Sequence, residues 1–367
     1  MKYSGIGGQS VMEGVMMRNG RKYAVAVRRP DHEIEVKVEN DKAFLFDDKW
    51  NKVPLVRGVL SFIDSLVLGM STLMYSASFF EDEEEEETER QKAQRQKKES
   101  AAQEDSVSEG DVFAAGPKTE REKADKEKTE GEKADKEKAK TKKADNEKEQ
   151  KKQERAEKAL MGGTLVFSVV LAVAIFMILP YYLSQTFQRF VTDNANLVAI
   201  FEGILRLVIF IGYIVLISRM NDIQRVFMYH GAEHKCINCI ENGLDLNVEN
   251  VRKSSKEHKR CGTSFMVFVI VISIILYLFI RVDSHALRIV IRLLLIPVIA
   301  GLSYEFIRLA GRSDNRVIQI LSKPGFWMQS LTVKEPDDEM IEVGIASVEA
   351  VFDWKPFVEE VRREEGE

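Results

Sequence analysis

Cysteine is scarce in this chain. Its 367 residues hold three, Cys236, Cys239 and Cys261, an odd number that argues against a secreted disulfide framework and fits a reducing compartment. The first residues, "MKYSGIGGQS", lack a basic stretch followed by an apolar core, so no cleaved signal peptide is expected. No sign of charge dominates. The 53 basic and 58 acidic side chains nearly cancel, to a net −5, and many of both lie in one central stretch, so the overall balance names no partner. That stretch, 81–158, has almost no apolar side chains. After "EDEEEEE" a ten-residue unit recurs as "TEREKADKEK", "TEGEKADKEK" and "AKTKKADNEK". With nothing to bury, it is expected to be a disordered charged linker or at most a solvated lone helix. Its acids offset its lysines and it has no aromatic platforms, so no nucleic-acid partner is expected.

What the chain does have is long apolar runs. Four of them, 162–183, 197–218, 264–281 and 286–309, approach the roughly 20 residues that a helix needs to cross a bilayer. The loop 219–263 between the second and third carries Arg219, Arg225, Lys235, Arg252, Lys253, Lys256, Lys259 and Arg260, while the two short loops on the other side carry one arginine each, Arg189 and Arg281. The positive-inside rule then places both termini and the 219–263 loop in the cytoplasm. The expected protein is a multi-pass component of the cell membrane, with the lipid bilayer as its first partner. Charges inside the spans must pair. Glu202 and Arg292 fall at similar depth, so the second and fourth spans are expected to meet there with Arg206 adjacent; Glu305, near the other end, is expected to approach the loop's functional residues.

The chain outside these spans divides readily. Residues 1–52 form an N-terminal cytoplasmic element: glycines and a short helix capped by Ser10 and Glu13 within 5–20, then a β-hairpin over 22–38 about a Pro-Asp turn. Residues 53–80, apolar but broken by Arg57 and Asp64, read as an amphipathic or membrane-associated helix in preference to a fifth span. The four-span domain occupies 159–325, and 326–367 is a cytoplasmic helical tail. The fold class is mainly α, a polytopic helical membrane protein with about four transmembrane helices, a small N-terminal β-hairpin element and a cytoplasmic His/Cys loop between spans two and three.

In that loop "YHGAEHKC", 229–236, sits on an expected helix capped by Asn221 or Asp222 and ended by Asn242-Gly243. There His230 and His234 stand one turn apart on one face, the spacing that lets two imidazoles reach one ion. A second helix, capped by Asn247 and covering "VENVRKSSKEH", delivers His258 and Cys261. These four are ligand types that zinc prefers. Glu233 completes an H-x-x-E-H string, the order of the inverted zinc-peptidase motif in which the glutamate activates water; its plainer role is to orient a ligating histidine. Cys236 and Cys239, a C-x-x-C inside a helix, read as packing thiols.

"GGQSVMEGVMMR", "VRGVLSFIDSLVLGM", "YHGAEHK", "VENVRK", "H-x-x-CGTSF" and "EPDDEMIEVGIASV", in this order, resemble the DUF1385 family, bacterial polytopic membrane proteins labelled predicted metal-dependent enzymes. The resemblance implies His230, Glu233, His234, His258 and Cys261 as metal-site residues, and Gly7, Gly8, Glu13 and Arg18 as an N-terminal signature in which Glu13 or Arg18 points toward the histidines or forms a structural turn. Two functional readings follow. In one, the protein is a zinc-dependent hydrolase with a cytoplasmic site that uses Glu233 as base. In the other, a closed His3Cys zinc holds together a membrane scaffold or assembly factor that recruits a cytoplasmic or membrane partner.

Overall fold

Residues 15–17 and 23–27 are apolar at successive positions, which a strand buried on both faces satisfies and a one-sided helix does not, and the flanking stretches 7–11 and 34–40 pair with them. In the computed structural model, which describes residues 2–40, 53–104, 162–164, 166–280, 282, 284–311 and 315–366, they form a four-stranded antiparallel sheet in sequential order: β1 (Gly7–Val11), β2 (Gly14–Asn19), β3 (Lys22–Arg28) and β4 (Ile34–Asn40). The expected 22–38 hairpin is β3–β4. The expected helix within 5–20 is instead the hairpin β1–β2, with Val11 opposite Gly14. Two features defeat the capping signal of Ser10 and Glu13. Glu13 adopts a left-handed φ of 47° in the turn, and Gly14 lies so close to the Ala26 carbonyl that a Cβ would overlap it. Val15 and Met17 then point to one face, with Ala24 and Ala26, while Val11 and Met16 point to the other, with Tyr23, Val25 and Val27.

Helices cover both faces. Against the Val11–Met16 face lies α1 (Val56–Glu104), through Leu68, Tyr75, Phe79 and Phe80. The helix continues past the acidic run to Glu104; the three repeats of the expected linker lie outside the described residues. Against the other face pack α4 (Asn221–Glu241) and α9 (Asp338–Val351), with α5 (Val248–Lys253) and α10 (Trp354–Gly366) at their flanks. The C-terminal segment is therefore a wall of the same core, joined through Met340, Ile341, Val343 and Val348.

The remaining helices are α2 (Gly162–Phe190, with a π-helical stretch at Ala174–Ile178), α3 (Ala195–Ile217), α6 (Gly262–Leu278), α7 (His285–Ala310) and α8 (Arg316–Thr332). Among the described residues, four helical segments are long and apolar enough to cross a membrane: Val56–Phe80 of α1, α2, α3 and Ala286–Ala310 of α7. The expected third span is α6, apolar but only 17 residues long. Residues 1–89 and 180–367 make one compact unit and Arg90–Leu179 another.

Within the first unit, α6 packs against α3, α7 and α8, and the expected buried ion pair forms. Arg292 donates to both oxygens of Glu202, at 2.6 and 2.9 Å, and Arg206 donates to Oε1 at 2.9 Å. Ser273 of α6 accepts from Arg206 at 3.0 Å, and the Tyr277 ring lies under both guanidiniums. Glu305 departs from expectation. Its carboxylate is taken by Arg57 of α1, whose Nε donates at 2.6 Å, so it is engaged away from the loop.

Candidate metal centre

α4 begins at Asn221 after Met220, which supplies no side-chain cap. Neither Asn221 nor Asp222 has the expected capping role, because both already lie in the first turn. The helix ends as expected at Asn242-Gly243, Gly243 taking φ +71°. From Tyr229 onward nearly every α4 side chain is buried, since the helix is wrapped by the sheet, α9 and the segment after α5. That segment explains the second difference. The helix capped by Asn247 stops at Lys253, short of the expected His258, because polar groups of α4 capture the carbonyls that a longer helix would use. Lys235 Nζ donates to the carbonyls of Arg252 and Ser254, each at 2.9 Å. Asn238 Nδ2 donates to those of Ser255 and Glu257, at 2.6 and 2.9 Å. His234 Nδ1 lies 2.7 Å from that of Lys256. Held in this way, the chain reaches Cys261, the residue that starts α6.

His230, His234 and Cys261 converge, with one ligand atom from each lying within 4.8 Å of the others. His230 Nε2 is 3.3 Å from Cys261 Sγ, and Thr263 Oγ1 is 3.0 Å from the same sulfur. On the far side of each imidazole stands a backbone carbonyl: Lys256 for His234, and Thr332, at 3.2 Å, for His230. A carbonyl can only accept, so each Nδ1 donates to its carbonyl and each Nε2 is left to face Cys261 across the cluster. Burial holds His234 below the usual imidazole range, against the pull of Cys261, which keeps it neutral. Two fixed imidazoles and a thiol are a donor set for a borderline-soft divalent ion.

The carbonyl at His230 depends on a glycine. The strand-like connector after α8 crosses α4 at Gly231, where a Cβ would overlap the Lys334 oxygen, and the Lys334 N–H donates to Phe227 O at 2.9 Å. Gly231, Thr332 and the Lys256 carbonyl escaped sequence reasoning; a glycine amid a helix between two histidines was the one available signal.

His258 stands apart from the three. Its ring centroid is 5.5 Å from that of His234, and its Nε2 is 3.7 Å from Glu241. Its backbone is clamped by Gln329, which accepts from His258 N–H at 3.0 Å and donates to its carbonyl at 2.9 Å. Burial pushes Glu241 upward, but the His258 contact, the Arg260 charge and hydrogen bonds from Ser4 outweigh it and hold the carboxyl down at about 2. Glu233 is buried against Gly8, whose backbone hydrogen-bonds it, while burial pushes its pKa up to about 7. Its Oε2 has no hydrogen-bond partner. Gly8 leaves no slack: a Cβ there would stand 2.9 Å from Glu233 Cγ. Glu13 and Arg18 do not reach the histidines. Glu13 pairs with Arg225 and accepts from the Tyr229 hydroxyl at 3.2 Å, and Arg18 pairs with Asp64 at 2.7 Å. Cys236 and Cys239 are free, buried thiols of the core, raised by burial. A cavity of about 400 Å³ lies between β1, β2 and α1, lined by Gly7, Gly8, Arg18 and Asp64 among others; none of the three converging residues lines it.

The family described as "Protein of unknown function (DUF1385)" matches residues 53–354. The chain is also similar to "Uncharacterized protein YqhQ" of Bacillus subtilis (strain 168), with 31% identity over 351 residues, 93% of this chain and 90% of the relative. No solved structure matches. The profile covers most of the chain, including every residue of the His/Cys cluster, and the chain belongs to the DUF1385 family.

Proposed function

We propose that this is a multi-pass cell-membrane protein whose cytoplasmic face carries a zinc site formed by His230, His234 and Cys261, and that the site serves a hydrolase. The observation that carries the reading is the number and preparation of the ligands. Three donors converge, both histidines have the distal nitrogen committed to a carbonyl, and the fourth residue expected from the sequence, His258, faces Glu241 instead. Three protein ligands are the pattern of catalytic zinc, whereas structural sites fill four. Zinc, when bound, supplies Lewis acidity toward water and toward a carbonyl or phosphoryl oxygen. Glu233 supplies the proton acceptor. It lies on α4 between the two histidines, is buried, and keeps Oε2 without a hydrogen-bond partner. The Gly8 hydrogen bond fixes its other side. The basic 219–263 loop argues for a cytoplasmic location, and the setting beside apolar helices suits a membrane-borne or surface-bound substrate.

The closed His3Cys scaffold remains the competing reading, favoured by the near-complete burial of His234, His258 and Cys261. Metal analysis separates the two. Purified protein should hold about one zinc per chain, and the His230→Ala, His234→Ala double variant should lose it; stoichiometric metal in that variant would refute the site. Glu233→Gln should retain zinc and fold while abolishing function in a complementation assay. His258→Ala should retain zinc if three ligands suffice, and lose it if the site is closed.

A further inference from the structure

Val56–Phe80 of α1 has the length and hydropathy of a membrane span, yet its surroundings are those of a protein surface. One face lies on the N-terminal sheet from Asp64 to Phe80. Arg18 of β2 donates to Asp64 at 2.7 Å, Leu68 packs in the sheet's core with Tyr75, Phe79 and Phe80, and the Met12 N–H donates to Ser76 Oγ at 3.1 Å. That contact runs for about 24 Å of helix. Were α1 to cross the bilayer, the sheet would be carried into hydrocarbon with β4, an exposed edge strand bearing Glu35, Lys37 and Glu39. Open sheet edges do not occur there.

Chain parity leads to the same conclusion independently. The sheet and α4 share one core, Val15, Met17 and Ala24 packing with Tyr229, Ala232 and Cys236, so they lie on one side of the membrane. Between them the chain passes through α1, α2 and α3, and neither 41–52 nor 105–161 contains an apolar run of spanning length. Three crossings would separate the sheet from α4; two leave them together. Among the three, α1 is the helix whose flank is occupied.

The opposite face of α1 is exposed and largely apolar. Ile63, Leu66, Val67, Met70, Leu73 and Met74 recur at helical spacing and are all exposed, Leu66 and Val67 by more than half. The helix is also tethered to a span. Gly58 meets Gly301 of α7 closely enough that a Cβ would touch its backbone at 3.0 Å, and Arg57 pairs with Glu305, five residues before the end of α7. Held beside the C-terminal half of a span, between Gly301 and Glu305, the stripe shares the apolar surroundings of that span.

We infer that Ile63–Met74 of α1 lies in the plane of the membrane and docks its aliphatic stripe into the acyl boundary, with the β-sheet on its other side. The lipid chemistry it takes is the apolar chain region. Its two charges, Arg57 and Asp64, are both paired within the protein, so anionic headgroups are not required. The span set becomes α2, α3, α6 and α7, with the short α6 replacing α1. This inference rests on α3 and α7 being spans, as proposed above.

The test is depth by spin label in full-length protein reconstituted in phosphatidylcholine bilayers. Single cysteines replace Ile63, Met70 or Met74, and the three native thiols are buried. Controls are Ile204→Cys on α3 and Leu294→Cys on α7, both exposed. The in-plane helix gives all three stripe labels oxygen access, exclusion of a water-soluble nickel complex, and one shared shallow depth. A depth that changes steadily, by about 16 Å between positions 63 and 74, would mean that α1 crosses and would overturn the inference. Nickel access would place the stripe in water, and exclusion of both reagents would place it under a protein partner or second copy; either overturns it too. If the two control labels lack oxygen access, the span assignment itself fails, and that failure is distinguishable from a stripe that misses while the controls hold.

Discussion

An alanine methyl at position 231 would overlap the Lys334 carbonyl, and this makes Gly231 the residue through which His230 is aimed. To admit a Cβ the connector must back away from α4. The Thr332 carbonyl moves with it and leaves His230 Nδ1 without its acceptor. Gly231→Ala is therefore expected to cost about 1–3 kcal/mol of stability by overpacking, and to weaken the proposed zinc site by about 10- to 100-fold, the size of a lost orienting contact. Chelator competition on the two proteins checks the second number; unchanged metal affinity would separate His230 from the connector. The histidines themselves were legible because i, i+4 spacing fixes a shared face whatever surrounds the helix. Their acceptors were not, since Lys256 and Thr332 act through backbone oxygens, which leave no trace in residue type. His258 was read as a ligand from its proximity to Cys261; the Gln329 clamp and Glu241 that turn it elsewhere come from segments distant in sequence.

Helix pairing by buried charge was legible at the scale of elements, because depth along a span follows from counting residues. Glu202, Arg206 and Arg292 meet as that count requires. The structure adds an asymmetry: one carboxylate faces two guanidiniums. Glu202→Gln strands both, and removing one member of a buried ionic group costs about 3–5 kcal/mol. Arg292→Gln leaves Glu202 with Arg206 as a balanced pair and should cost clearly less. Thermal unfolding in detergent ranks the two variants; equal or reversed losses would show that Glu202 is not the hub. The β1–β2 hairpin was illegible for a reason of the same scale. Ser10 and Glu13 match a helix cap locally, but the tight turn at Glu13 and Gly14 is stabilised by β3, a strand outside the window in which a cap is read.

Across the whole molecule, the larger core is assembled from three distant parts of the chain: the sheet, the α4–α5 loop and α9–α10. Among the described residues, the sheet reaches the rest through a set of noncovalent contacts. Ser4 donates to Glu241 from both its N–H and its hydroxyl, at 2.9 and 2.8 Å, and Arg260 donates to the same oxygen at 2.6 Å. Lys2 N–H donates to Glu241 O at 3.1 Å, and Val15, Met17, Ala24 and Ala26 bury themselves against α4 and α9. The sequence between α1 and α2 carries charged repeats with almost nothing to bury, a composition that predicts the part of a tether in assembly, raising the effective concentration of the sheet at α4. A chain cut within 110–150 should then still assemble when its two pieces are produced together. The N-terminal piece should co-purify with a tagged C-terminal piece and restore its capacity for the proposed zinc, at higher protein concentration than the intact chain requires. The C-terminal piece alone would leave Cys236, Ala232 and the buried Glu233 without the sheet that covers them, and should aggregate or lose metal. Glu241→Ala in the C-terminal piece removes the acceptor of Ser4 and should weaken capture of the partner piece while leaving the intact chain assembled. If the pieces fail to associate at any concentration, the repeats do more than tether, and the segment between 105 and 158 belongs to the fold.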